Sequence, residues 1–390
     1  MSALFQQFWF QNLAAPISAH IVTIASVALW IMLCRFAWRK GQHNTVALVV
    51  ATIFCLGSEY LAIQFGKYHY AQFALSLPEI KLPDLVVRLL NWLASWKIIP
   101  PVIHVEGVSR HVPVEIALLE GALLFAVFRL TNFLSPQKPL RGLTRENFIS
   151  WFAARWPNPV LNGFLALSLD AMLDPVVAGT MPVAPLGPAS DGLALWTWHT
   201  TPHYAGHWFG VPLANYNAWF AALFAFTVTT RITNRSTEAF GVSLFRQGKV
   251  AIGAAIRTIG FLMLLLFAIK FTLDYLTYEA FGLFGEHTPA AWQFAIQGVM
   301  VAFGILAAAR IAGRAIRTAK FELETIAPIV FVFAYSAGAL VFAGVYEREP
   351  LTLPLWIVTL GVAAIHASAP WRWNKLPLGE PAGDPRAGLS

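Results

Sequence analysis

Nine stretches of about twenty mostly apolar residues run through the sequence, at about 18–37, 43–65, 112–134, 159–179, 211–231, 251–273, 292–312, 326–346 and 350–369. Twenty residues of helix, at 1.5 Å each, match the roughly 30 Å hydrocarbon core of a bilayer. Charge is correspondingly scarce. Only 12% of residues are Asp, Glu, Lys or Arg, about half the ~25% of a typical soluble domain. So few charges cannot cover a water-soluble surface on a chain of 390 residues. A soluble enzyme, a nucleic-acid module and a disordered tail are all excluded on this ground.

The basic residues give the chain a direction. With the N-terminus outside, the inner loops and span ends hold all but seven of the 27 lysines and arginines. The outer exceptions are Lys67, Lys81, Arg88, Lys97, Arg110, Lys270 and Arg348. This is the positive-inside pattern of nine spans, N-out and C-in. The net charge of +7 therefore reports orientation and not a nucleic-acid partner. The expected architecture is an all-α, polytopic integral membrane helical bundle. It forms a single domain over 1–373, with a loose Pro- and Gly-rich tail at 374–390. An outer insert covers 71–111, within which 84–99 reads as an interfacial amphipathic helix. No basic region precedes the first span, so no cleavable signal peptide is expected. A bacterial inner membrane is the expected location.

Against this background the acidic residues inside spans stand out, because ionisable groups at membrane depth are costly. They are Glu59, Glu115, Glu120, Asp170 and Asp174, with Glu322 and Glu324 at the inner end of the eighth span. Alternating span direction brings the first five to one outer layer, beside Asn215 and Asn217. Asp170 and Asp174 are four apart and share a helix face. Glu115 and Glu120 are about 140° apart, so only one of them faces a common site. Glu120 is the better interior candidate, while Glu115 is near enough to the interface to be solvated. Carboxyl groups crowded into one apolar pocket cannot all be ionised, so a proton donor and a base sit side by side. That pairing suits acid–base chemistry on an apolar molecule, and it also suits proton-coupled transport.

Aromatic residues are dense over 196–220, including Trp196, Trp198, Tyr204, Trp208, Tyr216 and Trp219. Such rings form interfacial belts, pack against long conjugated chains and stabilise cations. His199, His203 and His207 have metal-like spacing, but Pro202 and Gly206 break the run, so a loop and no metal are expected. Cys34 and Cys55 lie in apolar runs and build no disulfide framework. Phosphate-binding loops, dinucleotide fingerprints, nucleophile elbows and aspartate-rich diphosphate sites are all missing. An apolar, chain-like substrate fits better than one with a charged head.

Three stretches taken together resemble a known family. They are Gly57-Ser58-Glu59-Tyr60 with Phe65-Gly66-Lys67-Tyr68-His69-Tyr70, then Asp170 to Asp174-Pro175-Val176, then Trp196-Thr197-Trp198 with Gly210 to Phe220. In order and spacing they are similar to signatures of the carotenoid biosynthesis proteins that include the carotenoid 1,2-hydratases. The likeness covers about residues 45–235. Gln64 replaces a proline of the pattern, Ala218 replaces a glycine, and Lys67 adds a charge.

The resemblance implies water addition across the terminal C1=C2 bond of an acyclic carotenoid end group, with no redox cofactor. Its partners would be a long apolar carotenoid, water and membrane lipid. Combined with the acid layer, it implies Asp174 as general acid, Asp170 as its partner and Glu59 as the group that orients or deprotonates water. Tyr70 and Asn215 would hold the water and the acids, Trp198 and Trp219 would flank the cation, and Tyr68 and Glu120 would complete the pocket. The roles of Asp170 and Asp174 can be exchanged. Two alternatives remain open: a carotenoid or isoprenoid cyclase or isomerase using the same acid, and a lipid or proton-coupled transporter.

Overall fold

The computed structural model describes residues 15–64, 67–70, 73–77, 84–96, 111–134, 145–180, 195–198, 207–208, 211–246, 252–277, 283, 288–312 and 322–343. Ten helices and seven short strands lie among them. Helices occupy eight of the nine apolar stretches; the ninth, 350–369, falls outside the described residues, as does the tail 374–390.

The first two helices show how the sequence sets local structure. Helix α1 (Ala15–Lys40) ends on Arg39 and Lys40, which complement the negative end of its dipole. Gly41 follows at φ 102°, a left-handed conformation that closes a helix end without a Cβ clash. Its amide donates to the Trp38 carbonyl at 3.2 Å. Helix α2 (Gln42–Gln64) therefore turns straight back along α1.

Strand β1 (Tyr68–Tyr70) follows, then β2 (Ser76–Leu77), α3 (Asp84–Ser95), β3 (Val112–Pro113) and α4 (Val114–Leu134). Helix α3 lies within the predicted interfacial segment, and its Leu89 and Trp92 are exposed, as is Trp96 just after it. Helix α5 (Arg145–Arg155), absent from the sequence reading, runs through Trp156 into α6 (Pro157–Val177). After β4 (Ala178–Thr180), β5 (Trp196–Trp198), β6 (His207–Trp208) and β7 (Val211–Pro212) comes α7 (Leu213–Arg246). It outruns its predicted span by four turns. Helices α8 (Ile252–Tyr275), α9 (Ala290–Ala312) and α10 (Leu323–Ala343) complete the chain described.

Helices α4 and α6 form the centre. Helix α4 packs on α1, α2, α6 and α10, and α6 packs on α7, α9 and α10. Of the apolar window in α6, 89% is buried, against 22% in α9, which separates a central helix from a peripheral one. Close approach depends on missing side chains. A Cβ on Gly121 of α4 would lie 2.6 Å from the Thr52 Cα of α2, and one on Gly163 of α6 would lie 2.8 Å from the Phe220 ring of α7. Small residues at such crossings let apolar helices pack tightly in a membrane.

Among the described residues, four helical stretches are long and apolar enough to cross a membrane: Pro16–Lys40, Asn44–Gln64, Pro157–Val177 and Ala290–Arg310. Outward apolar residues such as Ile24, Leu264 and Trp292 are exposed, as lipid-facing positions require.

The described residues are mostly helical, as expected of an all-α chain, and a small sheet joins the helices. A three-stranded sheet of order β1-β5-β4 caps one end of the bundle. β1 pairs antiparallel with β5, setting Tyr68 opposite Trp198 and Tyr70 opposite Trp196, and β4 pairs parallel to β5. Period-two alternation puts both tyrosines and both tryptophans on one face, with His69 and Thr197 on the other. The Tyr68 and Trp198 rings meet edge-on at 4.6 Å, and those of Tyr70 and Trp196 at 5.9 Å.

Candidate active site

Beneath the sheet's aromatic face is a pocket. Glu59 comes from the last turns of α2, Glu120 from the second turn of α4, and Asp170 and Asp174 from the end of α6. Asn215 and Trp219 come from the start of α7; Tyr68, Tyr70 and Trp198 come from the sheet. All nine residues singled out from the sequence line this one pocket. Below the carboxyl layer its walls are apolar, with Leu123, Val127, Ala166, Leu223, Phe331 and Val332.

The polar groups form two linked sets. In the first, the Asn215 amide donates to Asp170 Oδ2 at 2.7 Å and to Asp174 Oδ2 at 2.9 Å. One –NH₂ group thus bridges two carboxyls a helical turn apart. The Trp196 indole lies beside Asp174. The Trp198 indole is directed toward the same carboxyl but makes no bond of normal geometry. The Tyr216 hydroxyl is buried near both aspartates, with no hydrogen-bond partner among the described residues.

In the second set, Tyr68 donates to Glu59 Oε2 at 2.6 Å, and Tyr70 donates to the same oxygen. An oxygen accepting two phenolic O–H groups behaves as a carboxylate oxygen. Glu120 faces Glu59 across the pocket from α4. The tyrosines are suited to this work. Burial first, then the neighbouring Glu59, pushes both phenols well above their ordinary range, so they stay neutral donors. Lys67, half-buried at the turn before β1, lies within electrostatic reach of Glu59 and Asp274.

Two sequence expectations are overturned. Glu115 is not solvated. It is fully buried, and its Oε1 accepts from Thr23 Oγ1 and the Leu75 amide, both at 2.9 Å. It ties α1 and the turn before β2 to the start of α4, and it does not line the pocket. Asn217 is buried but does not line the pocket, because two residues carry it to the far side of α7 from Asn215.

The sequence reading also left out Trp196 and Tyr335 as site residues, though both line the pocket. The paired Tyr-x-Tyr and Trp-x-Trp patterns carry a signal for Trp196. Tyr335 bonds Ser18 across α10 and α1, and its apolar helix offers no such signal. Among the described residues, no group of three or more His, Cys, Asp or Glu is placed to hold a metal ion. His199 and His203 lie outside the described residues.

Comparison with known proteins gives no match, whether to family models, curated sequences or solved structures.

Proposed function

We propose that this chain is a membrane enzyme that hydrates the terminal C1=C2 double bond of an acyclic carotenoid end group. The observation that carries the proposal is a layer of four carboxyl groups, organised by Asn215, Tyr68 and Tyr70, at the polar end of an otherwise apolar pocket. The apolar walls receive the chain, and its terminus meets the acids. We place the protein in a bacterial inner membrane with nine spans, N-out and C-in, as the basic residues argue.

In the proposed reaction Asp174 donates its proton to C2, and the alkene's electron pair forms the new C–H bond. Positive charge develops at the tertiary C1, where the faces of Trp198 and Trp219 stabilise it. Water held by Glu59 attacks C1 and gives its proton to the Glu59 carboxylate. The product is a tertiary alcohol, and proton return from Glu59 to Asp174 restores the site. Asp170 shares the Asn215 bridge and holds Asp174 in its donor form. Removing either member of an acid–base pair typically costs about 10²–10⁴ in rate.

The test is expression of the full chain in a host that accumulates lycopene or γ-carotene, followed by mass spectrometry of the pigments. Products heavier by one water support hydration. An isomer of unchanged mass shows cyclisation by the same acid. Unchanged pigment with both substrates overturns the proposal.

A further inference from the structure

The end of the bundle opposite the carboxyl pocket carries an unusual surplus of buried positive charge. Arg231 lies on α7, about 24 Å along the helix from Asn215 at 1.5 Å per residue. It is only 7% exposed, and among the described residues its Nε and one terminal nitrogen, Nη2, have no hydrogen-bond partner. Its guanidinium stacks on the Phe128 ring at 5.5 Å. The charged neighbours that act on it are Arg155 and Arg129, both of the same sign. Arg129 is already committed, with Nη2 bonding both oxygens of Glu322 at 2.8 and 2.9 Å, and Lys40 shares that carboxylate at 2.8 Å. Among the described residues no acid pairs with Arg155 or Arg231. Arg155 is half-buried, and beside it Arg310 lies over the Trp156 ring at 5.9 Å, exposed at the rim.

A buried guanidinium with unmet donors and two like charges nearby is strongly disfavoured unless an anion completes it. Guanidinium forks match phosphate oxygens in geometry. Basic recesses between membrane helices are where phosphate head groups lodge. We propose that Arg231, with Arg155 as its opening to solvent, forms a binding site for a phosphate group, distinct from the carboxyl pocket. Its ligand is a lipid headgroup phosphate or a free phosphate anion, and the site does not depend on the reaction proposed above.

The test uses the full chain, purified in detergent and stripped of lipid. Short-chain phosphatidylglycerol, phosphatidylcholine with the same chains, inorganic phosphate and pyrophosphate are each titrated while thermal unfolding is followed. Selective binding to the native state raises the unfolding temperature with ligand concentration. A rise with phosphatidylglycerol alone identifies a lipid headgroup, and a rise with inorganic phosphate or pyrophosphate identifies a free anion. Either supports the site if apparent affinity falls about tenfold or more in Arg231→Gln. If that variant does not fold, Arg155→Gln, which alters a half-exposed residue, takes its place in the same comparison. Unchanged affinity in the folded variant, or no shift with any of the four ligands, overturns the proposal.

Discussion

At the scale of single residues, the polar groups of the pocket fall into two sets. Asn215 holds Asp170 and Asp174 on one side, while Tyr68, Tyr70 and Glu120 converge on Glu59 on the other. Asp174→Asn keeps the shape of the side chain and a group for Asn215 to meet, but removes the transferable acid. Hydrated pigment should fall by about 10²-fold or more, with the protein still folded and in the membrane. Full turnover by that variant would remove Asp174 from the acid role. The tyrosines make a separate prediction about pH. Their ionisation is shifted upward, so the neutral phenols persist past the pH of ~10 at which free tyrosine ionises. In the unfolded chain they ionise at that ordinary value. Their contribution to stability is therefore complete below about pH 10 and is lost as pH climbs beyond it. Tyrosinate absorbance at about pH 10.5 should be the same for the native wild type and for a Tyr68→Phe, Tyr70→Phe double variant. Two extra tyrosinates in the wild type would contradict the burial account.

At the scale of elements, the site depends on how closely helices approach. Gly121 follows Glu120 on α4 and faces the Thr52 backbone on α2, the helix that carries Glu59. Gly121→Leu drives a side chain into backbone that cannot rotate away, a clash of the kind that costs about 1–3 kcal/mol. It should lower the unfolding temperature and separate Glu59 from Glu120, so that turnover per folded molecule falls as well. A variant with normal stability and turnover would show that the two helices can part freely. The elements themselves were unequally legible in the sequence. Long helices were readable because hydrocarbon thickness fixes their length, and scarce charge made Glu59, Asp170 and Asp174 stand out. Helix α5 was not readable, since its eleven residues form no long apolar run. Neither was the β1-β5-β4 sheet. Its strands are only three residues long, and β1 lies more than a hundred residues from its partner β5, so the pairing leaves no local period. Once the pairing is seen, Tyr-x-Tyr and Trp-x-Trp become one aromatic surface. Glu115 misled for a related reason, because its partners Thr23 and Leu75 come from distant segments.

At the scale of the whole molecule, the two ends of the bundle hold different chemistry. One end has the carboxyl layer, in contact with an apolar pocket. At the other, Glu322 is held by Arg129 and Lys40, and Glu324 by Arg39 at 2.8 Å. A proton-coupled transporter needs groups that exchange protons on both sides of its substrate. Here those carboxylates are taken up in ion pairs between helices. The pairs instead fasten α1 and α4 to the start of α10, and Arg129 also donates to Asn44 at 3.2 Å, drawing in α2. Glu322→Gln separates the two readings. It leaves the Arg129 and Lys40 charges without their carboxylate, a loss of about 1–3 kcal/mol for a half-buried charge-assisted contact. For the proposed enzyme, the unfolding temperature should drop while hydration per folded molecule stays near wild type, since Glu322 lies outside the pocket. For a transporter that uses Glu322 as its inner proton site, the same variant would abolish substrate-driven acidification of sealed vesicles, whatever its stability. The decisive measurement pairs product mass with a vesicle-entrapped pH dye in one preparation. Water addition with no net proton movement across the membrane, in both wild type and Glu322→Gln, is the expected result. It follows from the proposed reaction, in which one proton leaves Asp174 and one returns from water within the same layer of carboxyl groups.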